Sequence, residues 1–276
     1  EGLNIRSKKR YLWTHDVVPK GLTPELAKRA DKILVLSEWH KENVLKYNPY
    51  LDADQIEVTQ NGLTLSRFDV KVERNPHKAV VSSSPDRYLP ALLKIWPQVR
   101  AEIPDAELHI FYGFEYWKLG SGRDPGQTEL IKALIHEMDS MKDLGVHYRG
   151  RVNQDSLAKE FLSAGVFPYS TWFTETSCIS AMEAQAAGLH VITSPIAALN
   201  ETVGERGVMI EGDWLSEEYL TNFAKSVIVA MKKDAPEERS KNMEYARQHF
   251  NWDNVAKKWN DIFNGVNSSV PILKKY

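Results

Sequence analysis

Two glutamates, Glu175 and Glu183, frame the stretch of the chain richest in groups able to do chemistry, Tyr169-Ser170-Thr171-Trp172-Phe173-Thr174-Glu175-Thr176-Ser177-Cys178. A strand-like Gly165-Val166-Phe167 precedes it, and a helical pattern from Ser177 to Ala187, stopped by Gly188, follows. Ligands of open α/β sheets sit beyond such strand ends. Thr176 and Ser177 can cap the helix, and with Cys178 they bring free backbone N–H groups suited to a diphosphate. Acids beside a phosphate site must bind something other than phosphate, and sugar or ribose hydroxyls fit. The plainer reading makes Glu175 an acid favouring the helix dipole and Glu183 a surface acid.

A second group is Val80-Val81-Ser82-Ser83-Ser84-Pro85-Asp86-Arg87, a strand entering a small-residue turn before a helix over Leu89–Glu102. The turn at Ser82 and Ser83 exposes backbone donors, and Arg87 can hold two phosphate oxygens at once. The same residues also read as an ordinary turn with a surface arginine. A third group is Leu12-Trp13-Thr14-His15-Asp16; neighbours in an extended segment point to opposite faces, so His15 and Asp16 seldom act on each other. There is no Cys/His cluster, no His-x-x-x-His and no dense Asp grouping, so the sequence offers no metal motif.

These groups need a scaffold, and the scaffold is an alternation. Short β-branched runs at Lys32–Leu36, Ile56–Val58, Ala79–Val81, Leu108–Tyr112, Val146–Tyr148, Val166–Phe167 and Val191–Ile192 alternate with helical patterns. That order predicts an α/β fold with parallel sheets and right-handed crossovers. The polar, Pro-bearing stretch 70–78 reads as a linker. Residues 79–250 hold enough βα units for a complete doubly wound domain, whereas 1–69 hold too few for one of their own. The chain has 276 residues, 35 Lys and Arg against 37 Asp and Glu, and a net charge of -2, which disfavours a nucleic-acid partner. The one cysteine, Cys178, allows no intrachain disulfide and suits a reducing, cytoplasmic setting. The basic run Arg6-Ser7-Lys8-Lys9-Arg10 reads as a solvated face that can also touch anionic headgroups, a peripheral membrane contact, if the acceptor is lipid-linked.

Phe173-Thr174-Glu175, seven residues and then Glu183-Ala184 with Gly188 before a strand resembles the Glu-x7-Glu signature of retaining GT-B glycosyltransferases, glycosyltransferase family 4 above all. Further segments resemble that family in its order: Ala30–Trp39, Gln60-Asn61-Gly62-Leu63 with Phe68, Gly150-Arg151-Val152 with Leu157, and Phe250–Ala256. Several weak motifs in sequence are more specific than any one of them. The resemblance implies a GT-B type chain with a complete Rossmann-like C-terminal donor domain. Before it stands only a partial N-terminal α/β segment, the end of the acceptor domain, and the helix within 251–276 crosses back toward that segment.

The resemblance also implies roles. Glu183 would bind ribose hydroxyls, Glu175 the donor sugar, Arg87 with the helix amides the diphosphate, and His15 would touch the donor sugar from the cleft face, although it also reads as a packed or capping histidine. Gly113 matches the nucleotide-side glycine, although a lone glycine at a strand end also reads as a turn. Arg151 and Val152 fall where relatives cover the base, or form a plain surface turn. Where the family has a first basic residue this chain has Ser82, which removes one cation from the diphosphate.

The implied reaction is transfer of a sugar from a UDP-, GDP- or ADP-linked donor to a glycan, lipid-linked or small-molecule acceptor hydroxyl with retention. It needs neither metal nor cofactor, and an upstream domain or partner chain would complete the cleft. A sugar-nucleotide epimerase and a non-catalytic nucleotide-sugar-binding module are the alternatives.

Overall fold

A computed structural model describes residues 7–114, 125–233 and 235–266. Its first unit is a parallel sheet in the order β1-β2-β3, formed by β1 (Tyr11–Trp13), β2 (Lys32–Val35) and β3 (Ile56–Val58). Helices α1 (Pro24–Ala27) and α2 (Glu38–Tyr47) make the crossovers. Ile33, Leu34 and Val35 are buried, as expected of a parallel strand covered on both faces. Thr23 and Ser37 start the two helices by accepting from the N–H groups of Leu26 and His40.

The second unit runs β4 (Asn75–Val81), α3 (Leu89–Glu102), β5 (Glu107–Ile110), α4 (Pro125–Ser140), β6 (Val146–Tyr148), α5 (Gln154–Leu162) and β7 (Ala164–Tyr169). It continues through α6 (Ile179–Ala186), β8 (His190–Thr193), α7 (Leu199–Thr202), β9 (Val208–Met209), α8 (Glu217–Lys232) and α9 (Pro236–His249). The chain of described elements ends with α10 (Trp252–Asn264). All pairings are parallel, in the order β6-β5-β4-β7-β8-β9. Successive strands run outward one way from β4 and the other way from β7, so the switch point where such folds bind ligands lies between these two. The two strands approach closely at Gly165, where a Cβ would stand 2.2 Å from the Pro76 carbonyl oxygen. The core gathers fully buried Val80, Trp96, Phe161, Phe167 and Phe223 from strands and both helix layers.

Two boundaries differ from the sequence expectation. β4 begins at Asn75, inside the stretch read as linker: Asn75 and Pro76 are exposed and His77 half-buried, so the strand has no apolar pattern there, while pairing with β7 has already started. The helix expected from Ser177 begins at Ile179 with Cys178 as its N-cap residue, and Cys178 makes no side-chain cap bond.

The units touch along one seam. Glu201, 1% exposed, accepts from the N–H groups of Glu38 (2.9 Å) and Trp39 (2.7 Å), so a carboxylate of the second unit caps α2 of the first. The Ser37 hydroxyl donates to the Thr176 carbonyl at 2.9 Å. Helix α10 lies against β1, with Trp259 4.9 Å from Trp13 and Phe263 4.6 Å from Tyr11. Gly62 permits its loop to meet the start of α10, since a Cβ there would fall 2.7 Å from the Trp252 ring. No helix among the described residues is long and apolar enough to cross a membrane.

Candidate functional site

The turn after β4 and the segment after β7 meet at the switch point. Ser82 and Ser83 each place a hydroxyl 3.2 Å from that of Ser180, in the first turn of α6. Arg87 reaches across from the same turn and donates to Glu175 Oε1 at 3.1 Å. The Tyr169 hydroxyl donates to that same oxygen at 2.6 Å. Glu175 is buried and one of its oxygens therefore has two donors. The Arg87 guanidinium also lies 3.7 Å from the centre of the Phe173 ring, which fixes its plane. Burial disfavours the charged form of Arg87, but the Glu175 carboxylate and Tyr169 outweigh it and hold its pKa above the ordinary value. Arg87 Nε and Ser177 Oγ are buried polar atoms without a partner among the described residues.

Thr176 and Ser177 do not cap α6. The Thr176 hydroxyl donates instead to the His15 carbonyl at 3.1 Å, because the loop has to bridge to the first unit before the helix starts. That contact brings His15 beside the Glu175 loop; its ring is exposed and packs edge-on 4.1 Å from Trp13. Burial lowers the His15 pKa, with Asp16 opposing. Cys178 is buried and its thiol is pushed well up by burial and by Glu175, so it contributes backbone and packing rather than a thiolate. Glu183, on α6, is half-buried, and its carboxylate has no hydrogen-bond partner among the described residues. Burial pushes its carboxyl from 4.5 up to about 7, with Arg67 opposing weakly. Arg67 is itself held by Asp155 at 3.0 Å.

A cleft of about 210 Å³ adjoins the turn after β4 and is lined by Ser82, Phe111, Tyr112, Gly113, Arg151 and Val152, among others. Gly113, Arg151 and Val152 thus share one wall region with Ser82. The ring of Phe111 and the edge of the β6–α5 loop give the cleft a mixed apolar and polar lining.

The sequence profile of the glycosyl transferases group 1 family matches residues 81–228, more than half of the chain. The chain belongs to this family. No curated protein sequence matches it. Among solved structures it is similar to the pneumococcal O-GlcNAc transferase GtfA in complex with UDP and GlcNAc, with a TM-score of 0.67 at 14% identity over 93% of this chain and 52% of that one. It is also similar to Anabaena Alr3699/HepE in complex with UDP, with a TM-score of 0.70 at 12% identity over 94% of this chain and 72% of the other. A third likeness is sucrose-phosphate synthase from Thermosynechococcus elongatus, with a TM-score of 0.65 at 17% identity over 92% and 67%. The chain spans about half the length of the pneumococcal transferase. At these identities the likenesses show the fold, an α/β arrangement of parallel sheets resembling GT-B glycosyltransferases.

Two residues of the stretch from Tyr169 to Ala184 received no role from the sequence and yet hold the switch-point arrangement together. Tyr169 closes β7 and anchors Glu175; Ser180 ties α6 to the serine turn. The signal for Tyr169 is faint, a hydroxyl-bearing aromatic at the last position of an otherwise apolar buried strand.

Proposed function

We propose that this chain is the donor-binding part of a retaining glycosyltransferase, of the family 4 kind, that uses a nucleotide-diphosphate sugar, with UDP the first base to try. The observation that carries the reading is the convergence at one switch point of the Ser82–Ser83 turn, Arg87, Glu175 and the start of α6. Arg87 and the first amides of α6 hold the diphosphate, and the unpartnered Arg87 Nε and Ser177 Oγ give it further donors. Glu175 keeps one oxygen on Tyr169 and Arg87 and turns the other to sugar hydroxyls. Glu183 takes the ribose hydroxyls, the base enters the cleft at Gly113, Arg151 and Val152, and His15 faces the sugar from the first unit. Residues 1–69 supply the edge of an acceptor site that further sequence or a partner chain completes.

In this reading the bond from the anomeric carbon to the leaving phosphate oxygen breaks while the acceptor oxygen attacks the same face. The acceptor proton passes to the departing phosphate, so no nucleophilic side chain is required. The protein's part is to stabilise charge on the leaving group and to exclude water.

Calorimetry with UDP, UDP-glucose and UDP-GlcNAc, beside their GDP and ADP counterparts, tests this directly. Glu183→Ala should weaken nucleotide and donor alike by about 1–3 kcal/mol, and Glu175→Ala should spare the nucleotide and weaken only the donor. Both affinities should survive EDTA. Equal losses for nucleotide and donor in both variants, or binding that EDTA abolishes and Mg²⁺ restores, would overturn the assignment.

A further inference from the structure

Away from the switch point, β5 and β6 bring together three side chains that no step above uses. Glu107 and His109 lie two positions apart on β5 and so share one face, and His147 is the partner of His109 in the β5–β6 register. One ligand atom from each of Glu107, His109 and His147 lies within 4.8 Å of the others. Glu107 Oε2 and His109 Nε2 stand 3.2 Å apart, and the two imidazole rings are 5.0 Å apart at 67°. We propose that Glu107, His109 and His147 form a binding site for one divalent transition-metal ion of the zinc class, separate from the switch-point site.

The spacing supports this. Ligand atoms about 2.0–2.1 Å from a tetrahedral zinc are about 3.3 Å from each other, so the Glu107–His109 edge already has the required length. His147 closes the remaining gap with a small side-chain rotation, and it is free to do so because it sits partly exposed on the edge strand. Glu107, 41% exposed at its side chain, leaves the fourth position open to water. Two imidazoles and one carboxylate favour zinc, cobalt, nickel or copper over magnesium or calcium, which prefer all-oxygen sets.

His109 Nδ1 accepts from Arg149 Nε at 3.4 Å; with a metal on Nε2 the ring proton would sit on Nδ1 and displace Arg149, and Glu160 Oε2 lies 3.9 Å from that atom. Three cations face the cluster, and each is occupied or mobile. Lys78 is bound to Glu160 and Ser163, and Arg100 donates to the Ala106 carbonyl. Arg149, which approaches His109 Nδ1 at 3.4 Å, is exposed and can swing to solvent. Occupancy would pin the edge strand β6 to β5, whose next inward residue on that face, Phe111, lines the cleft near Gly113.

The test uses the chain without a histidine tag, stripped with EDTA and titrated with Co²⁺ alone. The expected result is one Co²⁺ per chain with the intense visible bands of tetrahedral coordination, undisturbed by excess Mg²⁺ and displaced by Zn²⁺. Glu107→Gln and His147→Gln, both changes to partly exposed side chains, should each lower the affinity by about 10-fold or more, and His190→Gln should leave it unchanged. The wild-type spectrum is read without any variant, so a misfolded mutant does not remove the test. Absence of tetrahedral bands in the wild type overturns the proposal. So do bands unaltered in Glu107→Gln and His147→Gln, or bands lost in His190→Gln.

Discussion

Replacing Glu183 by glutamine should stabilise the fold at alkaline pH while it weakens ligand binding. The Glu183 carboxyl titrates at about 7 in the folded chain against an ordinary 4.5, and burial is the main cause. Between these two values the unfolded chain has released its proton and the folded chain still holds it, so stability falls as pH rises through that window. A span of about 2.5 pH units at about 1.36 kcal/mol each amounts to about 3 kcal/mol, the cost of keeping an ionised carboxylate in a pocket with no partner of its own. Glutamine fills the same volume and cannot ionise. Urea unfolding at pH 8 should therefore find Glu183→Gln more stable than the wild type by up to about 3 kcal/mol, and at pH 4.5 the two should agree to within about 0.5 kcal/mol. UDP should bind the variant more weakly at pH 8, because an amide cannot replace a carboxylate that accepts from two hydroxyls. An equal stability difference at both pH values, or none at either, would refute the reasoning.

Three other outcomes follow from the geometry. Tyr169→Phe removes one of two donors from Glu175 Oε1 and should weaken a UDP-sugar by about 1–2 kcal/mol in calorimetry while leaving free UDP unchanged, whereas a purely structural role would move both. Cys178, buried and with its thiol pushed up, should react with a disulfide reagent only at the rate of unfolding, which stopped-flow absorbance measures with and without urea. Glu201→Ala strips two N–H groups of α2 of their carboxylate and should cost about 1–3 kcal/mol of stability in urea melts, with the loss seen in both units because the contact joins them.

The layout of the sheets was legible because alternation is a local signal. The runs read at Lys32–Leu36 and Leu108–Tyr112 fold as strands Lys32–Val35 and Glu107–Ile110, within one or two residues of their pattern, whereas the strand order and its switch point come from the register. Arg87 and Glu175 were legible as separate candidates, each at the end of its own strand. Their ion pair was not, since it spans 88 residues of chain and depends on β4 and β7 lying side by side. The same limit hid the Ser82–Ser180 contact, the Glu201 clasp on α2 and the trio Glu107, His109 and His147, which only the β5–β6 register assembles. The caps failed for a different reason. Helix α6 starts at Ile179 with Cys178 as its N-cap, so Thr176 and Ser177 lie ahead of the cap position, and the Thr176 hydroxyl donates to the His15 carbonyl across the seam.

Under the proposed reading, the charges at the switch point bear on how a diphosphate would be held with so few cations. Arg87 is shared with Glu175 at 3.1 Å, and Ser82 and Ser83 bring hydroxyls where a second positive residue would add charge. The positive potential must then come mainly from aligned dipoles: the first amides of α6 and the hydroxyls gathered around Ser180. Dipoles fixed by packing need little reorganisation when negative charge develops on the leaving phosphate, so they favour the transition state over the ground state. Under the proposed reading the Arg87–Glu175 pair adds a coupling. Arg87 would touch the phosphate on one side of the bond that breaks and Glu175 the sugar on the other, while their shared contact, the Phe173 stack and the Tyr169 hydroxyl fix both against the end of β7. Diphosphate and sugar are thereby positioned relative to each other by one rigid element, and that relative position is the one an attack on the same face requires.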